Sequence, residues 1–512
     1  MSHLPILPIV IPLAAAVLLL LGHRLGVATK RAVSAGSVAA LVVVALLVLS
    51  EAHQGGIGVY RLGNWPAPYG IVLMLDRLSA LMVALTAGLS IPVVLASLSG
   101  ADEKGRHYHA FLQLQLAGLN GAFLTGDLFN LFVFFEILLL ASYALLFHGG
   151  GTERARAGLA YVIVNLTGSA LFLIALGLVY GVLGTLNMAD LTVVLPKVAA
   201  ADQALVRTAL ALLVAVFLLK AAVLPLGFWL PHVYTAPLVP VSVLFVIMTK
   251  VGIYALVRVS TIGLGGASFT ADLLQPWLTW LSVATIAMGA FGTLAAKRLT
   301  GVTANLVLIS SGTLLLGAAS GNTTALAAML AYLVHTTAVT AALFLLADAI
   351  ASQRGTMADA IEKGPGLPGR LSLGAAYLIV AIAACGAPPL SGFIAKLLVM
   401  QSLRDTPNWI AAWAALLVSG FVVALVLGRA ASAYFWEPGR AHAAVLAPGA
   451  PVRSSGSTAA LWATVVAALL LVPCAAPIAG YARATAEQIM TRQAYGAAVI
   501  GPDDAVRRER RP

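Results

Sequence analysis

Residues 217–258 read FLLKAAVLPLGFWLPHVYTAPLVPVSVLFVIMTKVGIYALVR, and this stretch decides the architecture. It divides into two apolar runs, near 206–230 and 237–260, each long enough to span a bilayer and each holding one lysine, Lys220 and Lys250. An ionised side chain at the membrane midplane costs roughly 2.5–3.5 kcal/mol on insertion scales, so each lysine needs a compensating role. Five residues after Lys220, Pro225 removes a backbone donor, and Pro231 removes another. The run is therefore expected to break where a cavity can hold water. A broken membrane helix beside a buried lysine is a signature of transport.

Two further charges lie in runs of the same kind. The segment GDLFNLFVFFEILLLASYALL, residues 126–146, puts Glu136 about ten residues into its helix, near the bilayer centre at 1.5 Å per residue. The segment GAPPLSGFIAK, residues 386–396, joins Gly386, Pro388, Pro389 and Gly392 to Lys396, so the pairing of an interrupted helix with a lysine returns. Lys220 is the natural partner for Glu136. A structural ion pair explains any single buried charge, but one acid against three lysines leaves ammonium groups over. Groups of that kind titrate, hydrate or hand protons along.

Composition agrees with the membrane reading. Of 512 residues 61% are hydrophobic and 10% charged, with mean hydropathy +0.97, which excludes a soluble domain. Long apolar runs, not short alternating segments, exclude a β-barrel. Spans of about 20 residues fall near 4–22, 32–50, 72–97, 109–126, 128–147, 158–183, 206–230, 237–260, 272–296, 302–318, 323–349, 371–402, 410–435 and 458–480. The expected fold is an all-α polytopic membrane protein of about 14 transmembrane helices. Its interrupted spans, the seventh and the twelfth, are five helices apart, as two inverted five-helix repeats would place them. This divides the chain into 1–106 (the first three spans), 107–262 and 263–440 (the repeats) and 441–512 (a loop, the last span and a basic tail). The first run, with no basic residue before it and His23, Arg24, Lys30 and Arg31 after it, reads as a retained span and not a signal peptide.

With the N-terminus outside, the cytoplasmic loops would hold Arg24, Lys30, Arg31, Lys104, Arg106, Arg154, Arg156, Lys297, Arg298, Arg354, Lys363, Arg370, Arg429, Arg440 and Arg453. The opposite loops and helix edges hold Arg61, Lys197, Arg207, Arg258 and Arg404, with Arg77 just inside a span, so the basic bias favours that orientation. Arg507, Arg508, Arg510 and Arg511 form a basic tail too far from the last span to orient it, and read as a solvated end. The +11 net charge thus reflects orientation and is no sign of nucleic acid.

Smaller signals complete the picture. His335, midway along the eleventh span, suits a proton relay or a single interhelical hydrogen bond. Asp76 and Arg77 are expected to pair or snorkel at the outer interface, and Asp127 and Asn130 to cap the fifth helix. Cys385 and Cys474 lie in apolar segments and read as small buried side chains, neither a disulfide framework nor a cluster site. No strand-linked glycine-rich fingerprint for NAD or flavin occurs, and no cofactor is expected.

The stretches DLFNLFVFFEILLLASYALL, 217–258 and APPLSGFIAK closely resemble the antiporter-like subunits shared by respiratory complex I and Mrp-type cation/proton antiporters. The resemblance runs over nearly the whole chain. Within that superfamily, DLFNLFVFFE followed by LLASY is nearest the D-type subunits of the Mrp (also Pha or Mnh) antiporters. The resemblance implies a proton relay of Glu136 on the fifth helix, Lys220 on the broken seventh, Lys250 bridging on the eighth, His335 in the centre and Lys396 on the broken twelfth. It implies exchange of protons for Na+ or K+ in a bacterial cell membrane, with partner subunits of the A, B, C, E, F and G type. It gives no metal ligands, and no sodium-type carboxylate cluster stands in the spans. Two departures are visible: Thr340 stands where many relatives have lysine, and Gly227 where they have histidine. A redox-driven proton-pumping subunit of complex I or of a membrane-bound hydrogenase is the rival reading, and would need redox subunits elsewhere. A twelve-helix carrier of two six-helix halves fits the spacing poorly.

Overall fold

The computed structural model describes residues 3–264, 268–274, 277–364, 367, 369–436 and 455–501. The tail arginines, Arg440 and Arg453 lie outside the described residues. In chain order the elements are α1 (Leu7–Leu21), α2 (Val27–His53), β1 (Gly58–Arg61), β2 (Val72–Leu75), α3 (Arg77–Ser97), α4 (Tyr108–Leu124), α5 (Leu128–Phe147), α6 (Thr152–Leu183), α7 (Met188–Val194), α8 (Ala200–Lys220), α9 (Leu230–Thr235), α10 (Val239–Phe245) and α11 (Met248–Arg258). There follow α12 (Trp277–Ala295), α13 (Leu299–Ala319), α14 (Thr323–Arg354), α15 (Arg370–Cys385), α16 (Ser391–Leu403), α17 (Trp409–Ala431), α18 (Ser455–Leu470), α19 (Ala475–Met490) and α20 (Arg492–Ile500).

Among the described residues, eleven helices are long and apolar enough to cross a membrane, and the bent pair α18 and α19 raises this to twelve. The two remaining expected spans are α4, at 17 residues, and the broken pair α15 and α16. Side-chain caps fix several starts: Asp76 accepts from the Ser79 amide, Asp127 from Asn130 and Asn322 from Ala325. Each satisfies a backbone donor that the first turn leaves open.

Three local expectations need correction. The third span starts at Arg77, not at 72, because Asp76 caps it. Val72–Leu75 instead forms β2, antiparallel to β1 with Gly58 opposite Leu75. The fourteenth span is not straight, since α18 and α19 meet at 77° with Pro473 between them. Cys385 is only half-buried and Cys474 is exposed, each beside a helix break.

Burial separates an outer ring from a centre. Large apolar side chains such as Leu21, Phe291, Leu371 and Phe421 face outward, as lipid contact allows. The spans holding α1, α2, α6 and α12 are 39% buried, whereas those holding α11 and α13 are 94% buried and that of α14 is 89% buried. Groups on α11, α13 and α14 are therefore shielded from lipid. Gly252 helps set this centre: a Cβ there would lie 2.6 Å from the Ala221 nitrogen, so only glycine lets α11 close on the end of α8.

Candidate proton pathway

In the first half, α6 supplies the link between acid and base. Ser169 donates to Glu136 Oε1, and one turn earlier Asn165 Oδ1 accepts from Lys220 Nζ at 3.1 Å. Glu136 is half-buried and Lys220 buried. Among the described residues the two form no direct ion pair, so the expected partnership runs through neutral side chains. The Lys220 ammonium also lies 5.9 Å from the centre of the Phe135 ring, within cation–π reach. Asn165 and Ser169 were not singled out from sequence. Their signal is there, as two polar residues four apart, hence on one helix face, in a largely apolar run.

Lys220 is the last residue of α8, and the chain beyond it leaves helical geometry. Ala222 takes φ +56°, and the Leu224 amide turns outward to the Thr285 hydroxyl at 3.0 Å. A side chain at Gly227 would place its Cβ 2.2 Å from the Ala222 carbonyl oxygen. A histidine cannot enter this turn without moving the backbone, which accounts for glycine at this position.

Lys250, on α11, is fully buried and its ammonium has no hydrogen-bond partner among the described residues. The second half is arranged differently from the first. Lys396 follows its break, on α16, and its Nζ reaches back to the carbonyl oxygen of Cys385, the last residue of α15, at 2.9 Å. A cation there satisfies an orphan carbonyl at the negative end of that helix. Gly386 at φ +81° and Gly420 leave room for the lysine.

His335 on α14 pairs its Nδ1 with the Ser391 hydroxyl at 2.9 Å. It lies between two cavities of about 20 Å³ each, one shared with Lys396 and Thr340 and the other with Ser391. Each has room for a single water molecule. Thr340 thus lines the cavity that His335 and Lys396 share. The structure brings Glu136 to Lys220 through α6 and His335 to Lys396 around one cavity, while Lys250 lies on α11, which packs on α13 of the second half.

Asp76 makes an ion pair as expected, but with a partner other than Arg77. It is buried in an ion pair with Arg258, which also donates to Ser79 Oγ at 2.8 Å and so ties α3 to α11. Arg77 instead donates through its side chain to the His53 carbonyl. At the opposite end Arg31 and His109 hold Asp102, whose carboxyl is kept well below the usual carboxylate range by those partners despite its burial.

Two halves of membrane helices, each with a broken span and an ionisable group beside the break, define an ion-translocating membrane subunit. The sequence profile of the NADH:quinone oxidoreductase/Mrp antiporter transmembrane family matches residues 125–422, and the chain belongs to that family. It is 41% identical over 470 residues to the D subunit of a probable K(+)/H(+) antiporter of Rhizobium meliloti (strain 1021), covering 85% of this chain and 87% of that one. It is 38% identical over 407 residues to the D subunit of the Na(+)/H(+) antiporter of Bacillus subtilis (strain 168), covering 78% and 80%. Among solved structures it superposes on a chain of the Mrp complex from Dietzia sp. DQ12-45-1b with TM-score 0.86, 27% identity and coverage of 98% and 100%.

Proposed function

We propose that this chain is the proton-translocating D-type subunit of a multisubunit antiporter that exchanges protons for Na+ or K+ across a bacterial cell membrane, with its N-terminus outside. The observation that carries the reading is the pairing of Glu136 and Lys220 through Ser169 and Asn165 beside a broken helix. The relatives named as D-type antiporter subunits, matched over most of their length, support it.

In this reading a proton that reaches Glu136 neutralises the carboxylate facing Lys220. The ammonium then sheds its proton onto water at the break, and Lys250, His335 and Lys396 take it onward in turn. Each step breaks and makes a bond to hydrogen alone. The chain is read as a transporter subunit, not an enzyme, and its units are 1–106, the repeats 107–262 and 263–440, and 441–512. The cation selected and the partner subunits follow the relatives' type.

The test is a host lacking its own antiporters that carries the full set of antiporter genes, with and without this one. Everted vesicles from the full set should dissipate a pH gradient on addition of Na+ or K+, and vesicles without this chain should not. Undiminished exchange in its absence would overturn the reading.

A further inference from the structure

Among the described residues, three of the buried polar atoms that lack a hydrogen-bond partner lie on helices in contact through α11: Lys250 Nζ on α11, Gln115 Oε1 on α4 and Ser311 Oγ on α13. All three residues are fully buried. Their helices meet, since α11 packs on both α4 and α13. Gln115 Nε2 donates to Met248 Sδ at 2.9 Å, which sets the amide at the start of α11, two residues before Lys250.

The direction of Ser311 follows from the packing of α13. Asn305, Ile309 and Gly312 meet α12, and Gly317 meets Met329 of α14. Leu306 and Ile309 line the His335 and Lys396 cavity with α16 and α17. At about 100° per residue, Ser311 points away from all of these. The other close neighbours of α13 are α9 and α11 of the first half.

Ser311 is thus a hydroxyl of the second half turned toward the helix of Lys250. A desolvated polar atom with no partner is unfavourable, and an unpaired ammonium more so. Water resolves this where two to four polar partners converge, and here the helix of an unpaired ammonium packs on the helices of an unpaired amide oxygen and an unpaired hydroxyl.

We propose that Gln115 and Ser311 are positioning residues that hold bound water against Lys250 and so carry the proton hand-over between the two halves. This rests on the transport reading. The water, held in place by Ser311, accepts a proton from Lys250 and releases another toward His335, so each transfer breaks one bond to hydrogen and makes one and no other reactant is needed.

The test uses the whole complex in everted vesicles, comparing Ser311→Ala, Ser311→Thr, Gln115→Leu and Glu136→Gln at equal abundance, with melting of the purified complex measured alongside. An idle, unpaired hydroxyl costs stability, so its removal would leave melting unchanged or raised and exchange untouched. A hydroxyl that holds the bridging water instead predicts an exchange rate roughly tenfold lower in Ser311→Ala, the kinetic equivalent of one lost hydrogen bond. Gln115→Leu should fall similarly, and Ser311→Thr should keep most of the activity. Wild-type exchange in Ser311→Ala while Glu136→Gln is inactive overturns this inference alone. Equal losses in Ser311→Ala and Ser311→Thr also overturn it, by assigning the effect to packing. Wild-type exchange in all four variants overturns the transport reading itself.

Discussion

At the scale of single residues, the charges were easy to read and their connectors were not. A lysine or glutamate in an apolar run is costly enough to be conspicuous, so Glu136, Lys220, Lys250 and Lys396 stand out in sequence. Asn165 and Ser169 are neutral, and neutral polar side chains are ordinary in membrane helices. Only the fold shows that they lie between the acid and the base. The role of Gly227 is equally hidden, because it depends on the approach of the Ala222 carbonyl across a turn. If Glu136 and Lys220 act as one unit, Lys220→Ala should remove exchange, and Glu136→Gln with Lys220→Ala should be little worse than either alone. Initial rates in everted vesicles at equal abundance check this, and losses that multiply in the double variant would contradict it.

At the scale of elements, prolines announced both breaks and chain order put one lysine before its break and one after, but neither showed what each ammonium meets. Lys220 ends the helix before the interruption, whereas Lys396 begins beyond it and reaches back to the preceding helix end. The β1–β2 hairpin was missed because Val72–Leu75 is apolar and runs directly into α3, so hydropathy cannot separate the two. The buried pair of Asp76 and Arg258 was missed because both residues fall at helix ends, where exposure is the ordinary outcome. Removing one partner strands a buried charge, at a cost of about 3–5 kcal/mol, whereas replacing both by apolar residues is close to neutral. Arg258→Met should therefore lower the melting temperature of the purified complex, and adding Asp76→Leu should recover much of the loss. A single variant that melts like the wild type would contradict the structural role of the pair.

At the scale of the whole molecule, fourteen spans were legible because hydropathy measures length directly. Orientation rests on the distribution of lysine and arginine alone. Reporters fused after Glu51 and after Arg298 should report outside and cytoplasm respectively, and opposite activities at both sites would reverse the direction assigned to the path. The central spans, α11, α13 and α14, hold Lys250, Ser311 and His335 away from lipid, while Glu136 lies half-buried nearer the edge. The central claim is that protons cross this chain by way of that edge carboxylate. Its most direct test is the pH gradient in everted vesicles carrying the full antiporter complex with Glu136→Gln, a change that keeps the shape and removes the ionisable group. The expected result is a complex assembled at wild-type abundance in which Na+ or K+ no longer dissipates the gradient, and dissipation at the wild-type rate would contradict a proton path through Glu136.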